Sequence, residues 1–146
     1  MNKPEANENK TLEETLRSIP KTLSSLQRAD RLGAESRPFG FDHPDVGSAM
    51  KKVDEELSEV RAAIENGESH DRIEEEFGDL LLSVSCAARL CGIDSEDALQ
   101  KANEKYLTRI SSVEHQCIEN GSTMRETIRE NLLLYWQNAK KMENNH

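Results

Sequence analysis

The chain has 146 residues, 28 acidic against 19 basic, and a formal net charge of −9. That length fits one domain able to bury a core without disulfides or a structural metal, and the acidic field disfavours nucleic acid polymers and anionic membranes as partners. Cys86, Cys91 and Cys117 have neither zinc spacing nor a Cys-x-x-Cys pair, and no apolar run is long enough to span a bilayer, so a cytoplasmic protein with reduced thiols is expected.

Residues 1–20 are rich in Asn, Glu and Lys and are expected to form a disordered polar leader, followed by one domain over residues 21–142. Leu23, Leu26 and Leu32 mark a first apolar stripe, which ends before Arg37-Pro38-Phe39-Gly40-Phe41-Asp42-His43-Pro44, a loop by its prolines and glycine. Val46, Met50, Val53, Leu57, Val60 and Ile64 then recur every three or four residues up to Asn66-Gly67, which predicts a second helix with that face in the core. A third helix is predicted from Asp71, with Asp71 and Glu74 as a capping box, through Ile73, Phe77, Leu80, Leu81 and Val84 to Gly92. Asp94 or Ser95 caps a fourth, which carries Leu99, Ala102, Tyr106, Ile110, Val113 and Cys117 and closes at Asn120-Gly121. A fifth starts at Thr123, with Glu126 as capping partner. No internal repeat or low-complexity tract is read within residues 22–142, and the expected fold is an all-α helical bundle of about five helices.

The second helix contains Glu56 and Glu59, and the third contains Glu76 and Asp79. A spacing of three makes each pair neighbours on its helix, beside residues that face the core. If the helices pack antiparallel through Val53, Leu57 and Val60 against Phe77, Leu80 and Leu81, the pairs converge into a cup of four carboxylates. Like charges roughly 4 Å apart repel by about 4 kcal/mol per pair at an effective dielectric of 20, so the cup calls for a divalent cation. Oxygen-only ligation suits Mg²⁺, with Mn²⁺ as a substitute. Gly78 leaves room there for a phosphate or for close helix packing. Either acidic pair taken alone is the pattern of a solvated face. A di-iron bundle would need Glu-x-x-His pairs, which are absent, as is an EF-hand loop.

Glu55-Glu56-x-x-Glu59, followed after sixteen residues by Glu76-x-x-Asp79, resembles the signature of the MazG-type nucleoside triphosphate pyrophosphohydrolases. The same all-α superfamily contains dimeric dUTPases and phosphoribosyl-ATP pyrophosphohydrolases. Three further stretches resemble MazG in particular: Phe39-Gly40-Phe41-Asp42, where His43 replaces the family's tryptophan; Glu75-Glu76-Phe77-Gly78-Asp79-Leu80-Leu81; and Ala102-Asn103-Glu104-Lys105-Tyr106-x-x-Arg109. The likeness covers about residues 23–142 and is to the second, catalytic copy of the domain found in tandem MazG proteins.

The resemblance implies Mg²⁺-dependent hydrolysis of nucleoside triphosphates to the monophosphate and pyrophosphate, in the service of removing surplus or damaged nucleotides. It makes Glu56, Glu59, Glu76 and Asp79 the metal ligands and Glu55 the group that orients or deprotonates the attacking water. Lys105 and Arg109 would hold phosphates, with Lys52 and Arg72 as further cations, and Trp136 with Lys140 would contact the nucleotide from the last helix. Leu132, Leu133, Leu134 and Tyr135 give that helix more apolar surface than one contact face needs, and a homodimer is expected, as in the resembled family. Two rival readings are a non-enzymatic acidic helical interaction module and a sister enzyme specific for dUTP, dCTP or phosphoribosyl-ATP.

Overall fold

The computed structural model describes residues 9–144. Its order is α1 (Leu12–Arg17), α2 (Ser25–Ser36), a 3-10 turn (Arg37–Phe39), α3 (Val46–Glu65), α4 (His70–Leu90), α5 (Ser95–Glu119) and α6 (Arg129–Glu143), with no strand among the described residues. The chain divides into two compact units, Met1–Glu96 and Asp97–His146, so that the boundary falls in the first turn of α5.

In the first unit the most extensive packing is between α3 and α4. Asp45 caps α3 by accepting from Ser48 N (2.7 Å), and Ser69 caps α4 by accepting from Arg72 N (3.3 Å). The connection between the helices, 66–69, turns at Gly67, whose φ of 62° is the left-handed conformation that favours glycine. The buried α3 residues Ala49, Glu56, Val60 and Ala63, with half-buried Val53, fall at alternating steps of four and three. On α4 the same steps connect Ile73, Glu76, Leu80, Ser83, Ala87 and Leu90, of which Glu76, Ser83 and Ala87 are buried. These are coiled-coil seams, and each contains a glutamate.

This differs from the expected packing. Leu57, Phe77 and Leu81, expected between the helices, are exposed, as are Met50, Ile64 and Val84. Each is the immediate successor of a seam position on its own helix. In an antiparallel pair a rotation of about 100° on both helices brings these successors to one common side. Small seam residues bring the helices together, and Glu56 and Glu76 take positions the leucine pattern had suggested for apolar side chains.

Three boundaries also move. The expected leader reaches residue 20, but 12–17 are helical: Thr11 and Glu14 form a capping box, and Ile19 beyond the helix is 3% exposed. Residues 1–8 of that leader lie outside the described residues. The cap of α4 is Ser69 rather than Asp71, which sits in the first turn, where a negative charge complements the helix dipole. Thr123 does accept from Glu126 N (3.3 Å), but the turn is closed by Thr127 Oγ1 donating to Thr123 O (2.6 Å), and α6 begins only at Arg129.

In the second unit Val113 and Cys117 of α5 and Ala139 of α6 are buried. Gln116 ties the two helices by donating to Tyr135 O (3.0 Å) and accepting from Asn138 Nδ2 (3.0 Å).

Candidate metal centre and nucleotide-binding residues

The α3–α4 seam brings Glu56, Glu76 and Asp79 together, each offering a carboxylate oxygen within 4.8 Å of the others. Glu56 and Glu76 are buried to 9% and 8% exposure, whereas Asp79 is exposed. Burial disfavours charge, so two buried glutamates beside an aspartate need positive charge close by. Part of it is local. Lys52 Nζ donates to Glu56 Oε1 (2.7 Å), and Arg72 Nη2 donates to Glu76 Oε1 (2.7 Å), each from one helical turn upstream. Lys52 also lies 3.7 Å from Glu55, and Arg72 bonds Glu75. The Lys52 pKa is accordingly raised, chiefly by its bond to Glu56, and that of Arg72 is raised chiefly by Glu75.

The donors are all oxygens, three of them converge, and two are drawn into a seam where only charge can hold them. The cluster can bind a metal ion, and its chemistry suits a hard cation. Glu59, expected as a fourth ligand, is exposed on α3 and outside the group. A Cβ at Gly78 would meet nothing within 4 Å, so the glycine leaves open space next to Asp79 rather than serving helix packing.

A relation that the sequence analysis missed emerges from this pairing. Lys52-Val53-Asp54-Glu55-Glu56-Leu57-Ser58-Glu59 and Arg72-Ile73-Glu74-Glu75-Glu76-Phe77-Gly78-Asp79 repeat one order of residue types: cation, aliphatic, three acids, large apolar, small, acid. The repeat equates Lys52 with Arg72, Glu56 with Glu76, and Glu59 with Asp79. It is too short to show as a repeat of whole elements, and its signal is the matched order of charge and size.

Glu55 is exposed and lines a cavity of about 540 Å³ with His43, Asp45, Gly47, Ser48, Lys51 and Lys52. His43 also lines a more apolar cavity of about 380 Å³, whose walls include Leu32, Phe41, Pro44 and Leu82. The loop that carries His43 is fastened through Asp42, which pairs with Arg89 of α4 at 2.8 Å and with Arg37 at 2.9 Å. Arg89 escaped the sequence analysis, because 47 residues separate it from Asp42 and no periodicity connects them.

In the second unit Arg109 on α5 donates to Glu143 on α6 through Nε (3.0 Å) and Nη2 (2.7 Å). Its guanidinium lies 5.8 Å from the Trp136 ring centre, within cation–π range, and Tyr106 meets the same ring at 5.7 Å. Glu143 is held below its ordinary pKa mainly by Arg109, with Lys105 adding to the field. Trp136 and Lys140 are half-buried, one turn apart on α6, and Lys105 is exposed.

An all-α fold whose helical hairpin brings two buried glutamates and an aspartate together defines the class: a helical scaffold with an acidic site able to hold a metal ion. More particularly, residues 45–113 match the MazG nucleotide pyrophosphohydrolase domain. It is similar to the nucleoside triphosphate pyrophosphohydrolase of Escherichia coli K12, at 35% identity over 97% of this chain and 54% of that protein. It is also similar to the nucleoside triphosphate pyrophosphohydrolase/pyrophosphatase MazG of Thermotoga maritima, at 35% over 81% of this chain and 45% of that protein. An uncharacterized protein of Bacillus subtilis, YabN, is 32% identical over 94% of this chain and 28% of its own length. The chain thus spans about half the length of the first two relatives. Among the described residues no helix is long and apolar enough to cross a membrane.

Proposed function

We propose that this chain is a Mg²⁺-dependent nucleoside triphosphate pyrophosphohydrolase, converting a triphosphate and water to the monophosphate and pyrophosphate in nucleotide-pool housekeeping in the cytoplasm. The observation that carries the reading is the convergence of Glu56, Glu76 and Asp79 inside the segment that matches a nucleotide pyrophosphohydrolase domain. Glu59 would complete the ligand set, supported by its equivalence to Asp79 in the eight-residue repeat. Bound Mg²⁺, or Mn²⁺ in its place, supplies a Lewis acid that lowers the pKa of water and neutralises charge on the leaving pyrophosphate.

The remaining work falls to the chain's own side chains. Glu55, exposed beside Lys52, is suited to accept a proton from water attacking the α-phosphorus. Lys52 and Arg72 already neutralise the ligands' charge, and either can turn to a phosphate when a metal takes over that role. Arg109, with its planar fork, and Lys105 suit phosphate oxygens, while Trp136 and Lys140 suit a nucleotide's ring and charge. The exposed face of Met50, Leu57, Ile64, Phe77, Leu81 and Val84 supports assembly as a homodimer, since a soluble monomer rarely leaves so contiguous an apolar face uncovered.

The test is pyrophosphate release from a panel of ordinary and modified triphosphates, with and without Mg²⁺. Release from several substrates, dependent on Mg²⁺, is the expected result. Activity confined to dUTP, dCTP or phosphoribosyl-ATP would move the chain to a sister specificity, and no release from any substrate would leave a helical interaction module.

A further inference from the structure

The segment from Phe39 to Pro44 is held more firmly than a surface loop requires, and Asp42 is its fixed point. The Asp42 carboxylate accepts from Arg89 Nη2 at 2.8 Å and Nη1 at 3.0 Å, from Arg37 Nη1 at 2.9 Å, and from the His43 backbone N–H at 2.9 Å. The Asp42 and Arg89 side chains are 9% and 12% exposed. Room for the guanidinium depends on Gly33 of α2, because a Cβ there would stand 2.7 Å from Arg89 Nε and 2.8 Å from Nη2. Arg89 Nε is itself buried without a partner. The two-pronged contact is kept although one donor goes unsatisfied, so the pair fixes the direction of the loop in addition to any stability it contributes.

What the clamp orients is the next residue. His43 lines both of the cavities described above, and its Nδ1 shares a hydrogen bond with Ser48 Oγ at 3.2 Å. With one ring nitrogen occupied by Ser48, the other is left to meet a ligand. The larger cavity carries Lys51, Lys52 and Glu55, one side chain away from the carboxylate cluster through the Lys52–Glu56 bond.

We propose that Arg89 is a positioning residue: by clamping Asp42 it sets His43 at the junction of the two cavities, where the imidazole binds a phosphate oxygen of the nucleotide. This rests on the reading of the Glu55 and Lys52 cavity as part of the triphosphate site. Arg89 is also part of the wall of the smaller cavity, but in this proposal its influence runs through Asp42 and the loop.

The experiment is a double-mutant cycle on the full chain, with R89Q, H43A and R89Q/H43A assayed for Mg²⁺-dependent pyrophosphate release. Loss of one hydrogen bond to a charged group corresponds to about tenfold or more, so H43A is expected to raise KM by about tenfold with kcat little changed. R89Q should do the same, and the double variant should be no worse than H43A, because a displaced imidazole has nothing left to lose. R89K, which keeps the charge but not the fork, should follow R89Q. Amide hydrogen exchange over residues 39–48 should accelerate in R89Q and stay unchanged in H43A. If R89Q does not fold, Asp42→Asn closes the same cycle with little change in volume.

A wild-type KM in H43A, or effects of R89Q and H43A that multiply, would overturn the proposal. Normal pyrophosphate release with unaltered exchange in R89Q would remove the clamp and leave the activity standing. Absence of release in the wild type, with faster loop exchange in R89Q, would remove the activity and with it the role of His43, leaving Arg89 a loop anchor.

Discussion

On the inner side of the α3–α4 hairpin, alanine, serine and valine pack around Glu56 and Glu76, whereas Met50, Leu57, Ile64, Phe77, Leu81 and Val84 stand exposed one residue further round each helix. The inner side keeps Val53, Val60, Ile73 and Leu80 but gives two of its places to glutamate, and larger apolar side chains stand outside it. Burying a carboxylate is unfavourable unless it is paired, and each buried glutamate has a cation four residues upstream on its own helix. The apolar side chains displaced from the seam then need a covering of their own. The contrast teaches that a charged site inside a helical pair demands two compensations, counter-charge within the seam and apolar surface outside it.

The inner side is broken most sharply by removing a ligand charge. Glu56→Gln or Asp79→Asn is expected to reduce pyrophosphate release by about 100-fold or more, since even outer partners of metal ligands contribute about 10- to 100-fold. Circular dichroism should show the helices intact. A turnover near wild type at ordinary Mg²⁺ would return the cluster to the status of a solvated acidic face.

The outer side is addressed by Leu81→Glu, which places a charge at a residue 60% exposed in the single chain. If this face is covered by a second copy, light scattering at micromolar concentration should register a dimer for the wild type and a monomer for the variant. An exposed position tolerates glutamate, so the monomer should keep its helicity. A wild-type monomer would show that the face is not a dimer interface.

A smaller effect distinguishes local pairs from the long-range one. Arg89, first, and then Arg37 and the His43 N–H hold the Asp42 carboxyl well below the ordinary carboxylate range, against the opposing effect of burial. Its folded pKa is depressed, so its contribution to stability is complete above the unfolded value of about 4 and declines as pH falls below it. Melting temperatures between pH 6 and pH 3 should therefore fall less steeply in Asp42→Asn than in the wild type. Equal slopes would mean that the Asp42–Arg89 pair contributes nothing to the pH dependence.

The smallest expected effect lies in the second unit. Trp136 is half-buried between Tyr106 and Arg109, and it is the sole indole of the chain. A non-hydrolysable triphosphate with Mg²⁺ is expected to shift its emission, and Trp136→Ala to lower kcat/KM with a modest loss of stability. Emission unmoved by nucleotide, together with a loss of about 3 kcal/mol or more on truncation, would make the ring a packing element instead.

Local spacing was enough to find α2 through α5, because helical periodicity and stop signals such as Asn66-Gly67 act over one or two turns. It was enough, too, to pick out Glu56 with Glu59 and Glu76 with Asp79, since residues three apart are neighbours on any helix, but not to tell that Glu59 stands outside the three that converge. The same reasoning placed Leu57, Phe77 and Leu81 in the seam, because a hydrophobic pattern gives the period of a helix but not the angle at which two helices settle. That angle was decided by tertiary packing, where alanine and serine permit close approach and paired glutamates can be buried. The start of α6 depended on hydroxyl bonds around Thr123 and Thr127, which compete with the capping pattern in ways a spacing rule does not weigh. Arg89 with Asp42, and Arg109 with Glu143, were beyond sequence reading for one reason: 47 and 34 residues separate the partners, and only the folded chain brings such distant charges within hydrogen-bonding reach.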